Sequence, residues 1–226
     1  MIISHSRSYI FFHTPKCAGS AVNQALYETG SRDEYFKIDG TVECSSGEHY
    51  KSEKLNQHSK PAAVYGNLND CFPNYFKFAT IRNPFSLEIS KYNYAIESYK
   101  QMVANCTGGD IDNKWFEYCE NVNNSSFTEF ISSDNNNDLT FCDRYVGKNG
   151  DLLVDYIIKV EELENKYNFV CKLLKIPNKL QRVRVNKSKI TKSIETLDTE
   201  QIKLIEEKYS DDLEFFNYSY NDLTQT

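Results

Sequence analysis

Residues 8–27 read SYIFFHTPKCAGSAVNQALY and contain two successive patterns. The aromatic and β-branched run 8–13 predicts a short buried strand. Apolar residues then recur at helical spacing, which predicts a helix over residues 18–27. A strand, a tight loop and a helix in this order are typical of an α/β protein.

The loop between this strand and this helix has the composition of an anion cradle, with the sequence Lys16-Cys17-Ala18-Gly19-Ser20-Ala21. A helix N-terminus presents N–H groups without intrahelical partners and the positive end of the helix dipole. Gly19 allows a close approach of the backbone, and Lys16 adds a positive charge. The loop is not a Walker loop, because its lysine precedes the glycine. It predicts phosphate or sulfate binding; the alternative is an ordinary turn with a solvated lysine.

A second motif follows at residues 76–84, FKFATIRNP. The first six residues predict a strand, and the proline suits the first turn of a helix over residues 85–103. Arg82 thus follows the carboxyl end of a strand, where open α/β sheets bind ligands. Ser90 lies about two turns into the helix, roughly 9 Å from its start. A guanidinium and a hydroxyl can hold one phosphate together; the alternative is a structural ion pair at Arg82 and a solvated Ser90.

The rest of the chain continues the alternation of strand and helix. Strands are predicted over residues 62–65 and 154–160, and helices over 161–174 and 199–209. Residues 105–138 form a polar insertion with short helical pieces. We therefore predict a single α/β domain over residues 1–226, with a central parallel β-sheet flanked by helices.

Composition narrows the class of protein. The formal net charge is −6, which disfavours nucleic-acid binding, because a phosphate-neutralising face needs a basic surplus. No apolar run approaches the about 18 residues of a membrane span, and no signal-peptide pattern opens the chain. Seven cysteines without a C-x-x-C pair predict reduced thiols, no zinc site and a soluble, cytoplasmic protein.

In order and context, the two motifs resemble the nucleotide-binding signatures of the sulfotransferases that use 3′-phosphoadenosine-5′-phosphosulfate (PAPS). The closest resemblance is to the carbohydrate or membrane-associated group, sulfotransferase family 2. It implies a three-layer P-loop-like fold, a 5′-phosphosulfate loop at residues 16–21 and a 3′-phosphate site at Arg82 and Ser90. It also extends to a basic C-terminal segment that relatives use near the nucleotide. The implied cofactor-binding residues are Lys16, Cys17, Ala18, Gly19, Ser20, Ala21, Arg82, Ser90, Asn186 and Lys187.

Three positions depart from the family pattern. Cys17 stands where threonine is usual, Ala21 lacks a frequent hydroxyl, and Leu87 replaces a frequent basic residue. Backbone N–H groups and Ser20 would still bind the 5′-phosphate. We therefore expect weaker donor affinity rather than lost activity.

The resemblance implies in-line sulfuryl transfer to an acceptor hydroxyl, most of all that of a carbohydrate, without a metal. Lys16 would stabilise the charge that develops on the leaving oxygen. The acceptor proton calls for a base that titrates near neutral pH, and His58 is our first choice because several relatives carry a histidine there. His13 suits a core histidine better, and the backup bases lie in the polar stretch before His58: Glu43, Glu48 and His49.

Other interpretations stay open. A small-molecule kinase would need ATP and magnesium, yet neither a Walker loop nor an obvious magnesium ligand is present. A non-catalytic nucleotide- or glycan-binding relative would keep the phosphate loop without turnover. The aromatic group Trp115, Phe116 and Tyr118 suits either sugar stacking or burial of the insertion.

Overall fold

The computed structural model describes residues 1–67, 72–105, 113–133, 139–180 and 191–223. The chain divides into two compact units, which are described separately below. The first unit comprises residues 1–82 and 141–185, and the second comprises residues 83–140 and 186–226. The single domain with an insertion at 105–138 remains a prediction.

A mixed β-sheet forms the framework of the first unit. Its described strands are β1 (Ile2–Ser4), β2 (Tyr9–Phe12), β3 (Glu34–Phe36), β4 (Thr41–Cys44), β5 (His49–Lys51), β6 (Phe76–Ile81) and β7 (Tyr156–Lys159). Their spatial order is β5-β4-β3-β1-β2-β6-β7. β2, β6 and β7 are parallel, whereas β1, β3, β4 and β5 pair antiparallel.

The prediction of a central parallel sheet is therefore only partly correct. The predicted strands at 8–13, 76–81 and 154–160 are confirmed as β2, β6 and β7, and these three form the parallel part. The antiparallel strands β1, β3, β4 and β5 were not predicted. Each has only three or four residues, too few for a clear alternation of apolar and polar side chains. The three-layer P-loop-like assignment stays a prediction.

Two helices cover one face of the sheet. The helices of the first unit are α1 (Gly19–Glu28), α2 (Pro61–Asn67), α6 (Phe141–Tyr145) and α7 (Leu163–Leu174); α3, α4 and α5 belong to the second unit. Tyr9 and Phe11 project from the same side of β2, because side chains alternate along a strand. They pack in one buried cluster with Leu26 of α1 and with Tyr167 and Val170 of α7. This burial holds α1 and α7 against β2.

The predicted strand over residues 62–65 is wrong, because these residues belong to α2. Pro61 suits a first helical turn, where its missing N–H is not needed, and the alanines that follow favour a helix. A short apolar run does not distinguish a strand from a buried helical turn. Only Pro61 and Val64 of this helix are buried.

The second unit is helical within its described residues. Its helices are α3 (Pro84–Asn105), α4 (Asn113–Asn123), α5 (Phe127–Ser132), α8 (Thr199–Lys208) and α9 (Ser210–Phe215). The predicted helices near 85–103, 127–131 and 199–209 are confirmed. Asp198 begins α8 by accepting a hydrogen bond from the backbone N–H of Gln201, and the Gln201 side chain accepts from the N–H of Asp198.

A buried ionic cluster joins α3 to α8. The carboxylate of Glu88 is fully buried and lies 3.0 Å from the ammonium of Lys91 and 3.4 Å from that of Lys208. The hydroxyl of the buried Tyr209 also donates to Glu88. We call these four residues the Glu88 cluster; its carboxylate bonds to two cations and a phenol.

Candidate functional site

The β2–α1 loop, residues 13–18, begins with a tight turn. The N–H of Cys17 donates to the carbonyl of Thr14 at 3.4 Å, with Pro15 and Lys16 at the two central positions. Lys16 has a φ of 60°, so the turn has the proline-first, positive-φ-second arrangement of type II. Glycine or asparagine is usual at this second position, because other side chains are strained there.

Helix α1 starts without a side-chain cap. Its N-cap residue is Ala18, which also has a left-handed backbone, with a φ of 58°. Alanine has no side-chain acceptor for the N–H groups of the first turn, and its carbonyl accepts from the N–H groups of Ala21 and Val22 at 3.0 and 3.2 Å, which leaves those of Gly19 and Ser20 to point toward the loop. The ten-residue helix therefore directs its first N–H groups and the positive end of its dipole toward the loop. Ser20 is exposed at this end, and Ala18 and Ala21 are half-buried.

Gly19 leaves space for the ring of His13. A Cβ atom placed on Gly19 would overlap the imidazole of His13, which is packed against the helix start. The missing side chain thus serves an internal contact. The approach of a ligand to this backbone stays a prediction. Cys17 is fully buried, so its contribution to the loop surface is its backbone.

Arg82 joins the second motif to the first. β2 and β6 are adjacent and parallel, with Phe12 opposite Ala79, so both motifs follow strands that end at the same edge of the sheet. The guanidinium of Arg82 donates to the carbonyl of Lys16 at 3.4 Å. Burial, together with the positive charge of Arg82, lowers the pKa of Lys16 to about 8. Two cations thus lie at the start of α1.

His13 and His58 form a pair beside the loop. Their rings meet edge to face, with centroids 5.2 Å apart. His13 is buried, and its Nδ1 accepts a hydrogen bond of 2.8 Å from the side-chain amide of Gln57. Burial, with contributions from the N-terminal ammonium and His58, lowers the pKa of His13 to about 2, so its ring is neutral. His13 is thus the core histidine that the sequence indicated.

The backbone carbonyl of His13 fixes the tautomer of His58. Nδ1 of His58 lies 3.0 Å from this carbonyl oxygen, and a carbonyl can only accept, so Nδ1 carries the proton. The lone pair of the neutral ring is then on Nε2. The carbonyl of His58 itself accepts from the guanidinium of Arg144 at 3.3 Å. The half-buried ring is therefore held with its proton on Nδ1 and its lone pair on Nε2.

The alternative bases lie in other parts of the sheet. His49 is on β5, which is four strands from β2 and therefore about 19 Å away at about 4.8 Å per strand. Glu43 on β4 forms an ion pair with Lys37, whose side-chain hydrogen bond lowers the pKa of the carboxyl. Glu48 is exposed in the turn between these strands. Of the candidate bases, His58 is the one beside the β2–α1 loop.

The remaining predicted residues lie elsewhere. Ser90 is half-buried on α3 of the second unit, at the predicted place along the helix, and its partnership with Arg82 stays a prediction. Leu87 is buried on the same helix. Asn186 and Lys187 lie outside the described residues.

Three contacts of the site have no counterpart in the sequence analysis. They are the hydrogen bond of Gln57 to His13, that of Arg144 to His58, and the 2.6 Å contact between the hydroxyls of Thr14 and Tyr145. Gln57 precedes His58 directly, so its side chain was a readable candidate. No sequence pattern around Arg144 or Tyr145 indicates their contacts with His58 and Thr14.

Two other classes of site are absent from the described residues. These residues contain no group of three or more histidine, cysteine, aspartate or glutamate side chains placed to hold a metal ion. Within the same residues, no helix has both the length and the apolar character needed to cross a membrane. In the second unit, Trp115 and Tyr118 of α4 are stacked, with ring centroids 5.3 Å apart, whereas Phe116 packs against Tyr99 of α3.

Comparison with known proteins identifies a family. A family model described as "Sulfotransferase family" matches residues 1–219, almost the whole chain. Neither the curated proteins nor the solved structures include a match to this chain.

Proposed function

The chain belongs to the sulfotransferase family, and from this premise we propose that it transfers a sulfuryl group from PAPS to the hydroxyl of an acceptor. One observation carries the proposal: Lys16 and Arg82, from two separate motifs, meet at the start of α1. An anion bound there would stabilise the Lys16 ammonium, whose pKa burial and Arg82 lower to about 8.

The residues at this place fit the phosphosulfate end of the donor. The first turn of α1, which has no side-chain cap, offers backbone N–H groups, and Lys16 offers a charged donor. We propose that residues 16–21 hold the 5′-phosphosulfate. The 3′-phosphate would be held by Arg82 with Ser90, and by Asn186 and Lys187 from the C-terminal segment.

The bound donor supplies the sulfuryl group as an electrophile. The acceptor oxygen forms a new S–O bond while the S–O bond to the 5′-phosphate breaks, and the products are a sulfate ester and 3′,5′-adenosine bisphosphate. Lys16 stabilises the negative charge that appears on the leaving oxygen. No metal is needed in this scheme, because Lys16 and the helix N-terminus supply the positive charge at the leaving oxygen.

His58 is the proposed general base. Its Nδ1–H is engaged by the carbonyl of His13, so Nε2 takes the proton of the acceptor hydroxyl as the new bond forms. Arg144 donates to the backbone carbonyl of His58. We propose a carbohydrate acceptor and a cytoplasmic location, on the resemblance and the cysteine pattern stated above.

Calorimetric titration with 3′,5′-adenosine bisphosphate tests the proposal. Without magnesium, we expect the wild type to bind it and Arg82→Ala to bind at least tenfold more weakly, because a charged hydrogen bond to phosphate is lost. Arg7→Ala is the matched control, since Arg7 is exposed away from the loop. ATP binding that requires magnesium would favour a kinase, and no nucleotide binding at all would overturn the donor site.

Turnover distinguishes an enzyme from a binding relative. With a carbohydrate acceptor found by screening, His58→Ala should lose at least a hundredfold in kcat while bisphosphate affinity stays unchanged. His5→Ala is the control, because His5 is exposed. Equal activity of the two variants would remove His58 from the mechanism.

A further inference from the structure

The conformation of Lys16 requires support from its surroundings. A non-glycine residue in the left-handed region is strained, and such residues persist where neighbouring contacts hold them. Arg82 holds the turn at the Lys16 carbonyl. The other end of the turn is Thr14, whose carbonyl accepts from Cys17.

Tyr145 holds that other end. Its hydroxyl lies 2.6 Å from the hydroxyl of Thr14, and both side chains are almost fully buried. Burial raises the pKa of Tyr145 well above its usual range, so the phenol remains a protonated partner for Thr14. The two residues are 131 positions apart, so the contact is a tertiary one between the β2–α1 loop and α6.

The neighbouring residue of α6 contacts the base. Arg144 precedes Tyr145 and donates to the carbonyl of His58 at 3.3 Å. One short helix therefore contacts both the turn that carries Lys16 and the backbone of His58.

Helix α6 is itself well anchored. Phe141 at its start is buried, and the carbonyl of Tyr145 at its end accepts from the N–H of Leu153. Val146 and Leu152 form an antiparallel bridge just beyond. These contacts hold α6 in place, and with it the side chains of Arg144 and Tyr145.

We propose that α6 is a clamp for the reaction, in which Tyr145 positions the turn that carries Lys16 and Arg144 positions His58. This assignment of roles in catalysis rests on the proposed function. Neither residue needs to touch donor or acceptor, because each acts through a neighbour.

Tyr145→Phe removes the hydroxyl and keeps the ring. We expect it to weaken the binding of 3′,5′-adenosine bisphosphate by about three- to tenfold, as the loss of one hydrogen bond to the turn predicts. The matched control is Tyr9→Phe, because Tyr9 is also buried in the first unit and donates to the carbonyl of Ser31, outside the loop. If both variants lose stability and affinity equally, or if Tyr145→Phe keeps full affinity, the proposed role of Tyr145 is wrong.

Chemical labelling of Lys16 tests Tyr145 without any nucleotide. Only the unprotonated amine reacts with acetic anhydride, so the pH profile of labelling, followed by peptide mass spectrometry, reports the lysine's titration. We expect a midpoint near pH 8 in the wild type and in Tyr9→Phe. A looser turn should raise the midpoint by about half a pH unit or more in Tyr145→Phe. An unchanged midpoint contradicts the clamp. A shifted midpoint in a protein that binds no bisphosphate supports only the positioning of the Lys16 turn by Tyr145, and it rejects the proposed function together with the catalytic role of the clamp.

A separate measurement tests whether Arg144 positions His58. Nitrogen-15 NMR of the His58 ring should show a protonated Nδ1 and an unprotonated Nε2 in the wild type at pH 8. Arg144→Gln should shift both signals toward an average of the two tautomers, and the control Lys148→Gln, at an exposed position nearby, should not. Unchanged signals in Arg144→Gln would exclude Arg144 as a positioning residue.

Discussion

The β2–α1 loop and the Glu88 cluster both hold lysine side chains away from bulk water, but their neighbouring charges differ in sign. Lys16 lies beside Arg82, and burial and this second cation lower its pKa to about 8. Lys91 lies 3.0 Å from the carboxylate of Glu88, which also bonds to Lys208 and Tyr209. Burial and Arg82 therefore disfavour the ammonium form of Lys16, whereas a carboxylate faces the ammonium of Lys91.

This difference separates a candidate site from a structural feature. Burying charge is costly unless an opposite charge and hydrogen bonds compensate for it. In the Glu88 cluster the chain supplies the compensation itself, and the result is a joint between α3 and α8. At the loop, a bound anion would lower the free energy of the cations. Charge removal should therefore harm stability in one region and ligand binding in the other.

The largest expected effect is on stability, from Glu88→Ala. The variant leaves Lys91 and Lys208 without their shared carboxylate, and breaking a buried ion pair costs about 3–5 kcal/mol of unfolding free energy. Urea unfolding at pH 7 measures it. Glu207→Ala is the matched control, because its pair with Lys203 has side chains 62% and 74% exposed and should change stability by less than about 0.5 kcal/mol. Equal losses in the two variants would show that Glu88 is no more important than a surface residue.

Sequence reasoning identified the loop and missed the cluster for a physical reason. Glu88 and Lys91 are three residues apart on a helix, a spacing that usually indicates a solvated surface pair. Their burial depends on Tyr209, which is more than a hundred residues away. The loop, in contrast, lies between a strong strand pattern and a strong helix pattern, so its lysine and its place at a helix start were readable.

The same distinction explains the outcome for the fold. β2, β6, α1 and α3 were predicted because each carries its periodicity within a few residues. The antiparallel strands were not predicted, because a strand such as β5, with the sequence HYK and all three residues exposed, is defined by its pairing with β4. Tyr145 was missed because its role depends on a tertiary contact with Thr14.

The next largest expected effect is a loss of folding stability at acidic pH, caused by His13. The buried ring stays neutral down to about pH 2, whereas an unfolded histidine takes up a proton below about pH 6.5. The unfolded state therefore binds more protons between these values, and stability should fall by about 2 kcal/mol from pH 6.5 to pH 5. Urea unfolding across this range should show a shallower fall in His13→Gln. His5→Gln, at an exposed position, should keep the wild-type slope, and an unchanged slope in His13→Gln would contradict a buried neutral imidazole.

Ligand binding should reveal the charge of Lys16 directly. A bound anion favours the ammonium, so above about pH 8 binding must be accompanied by proton uptake at Lys16. Affinity for 3′,5′-adenosine bisphosphate should then fall by up to about tenfold per pH unit between pH 8 and pH 10. Lys16→Arg stays charged in this range and should remove most of the pH dependence, while Lys148→Arg should retain it. A full wild-type slope in Lys16→Arg would assign the titration to another group.

The smallest expected effect is on the unfolding free energy, and it separates the backbone strain at Lys16 from the loss of the lysine charge. Lys16→Ala and Lys16→Gly both remove the ammonium, so both should lose bisphosphate affinity to a similar extent. They differ because glycine adopts a φ of 60° without strain, whereas alanine does not. Lys16→Gly should therefore have the higher unfolding free energy, by about 1 kcal/mol, even though glycine gains more entropy on unfolding. The opposite order would mean that the turn relaxes when the lysine is removed, and that contacts of the lysine side chain, rather than those from Arg82 and Tyr145, hold the turn in its strained form.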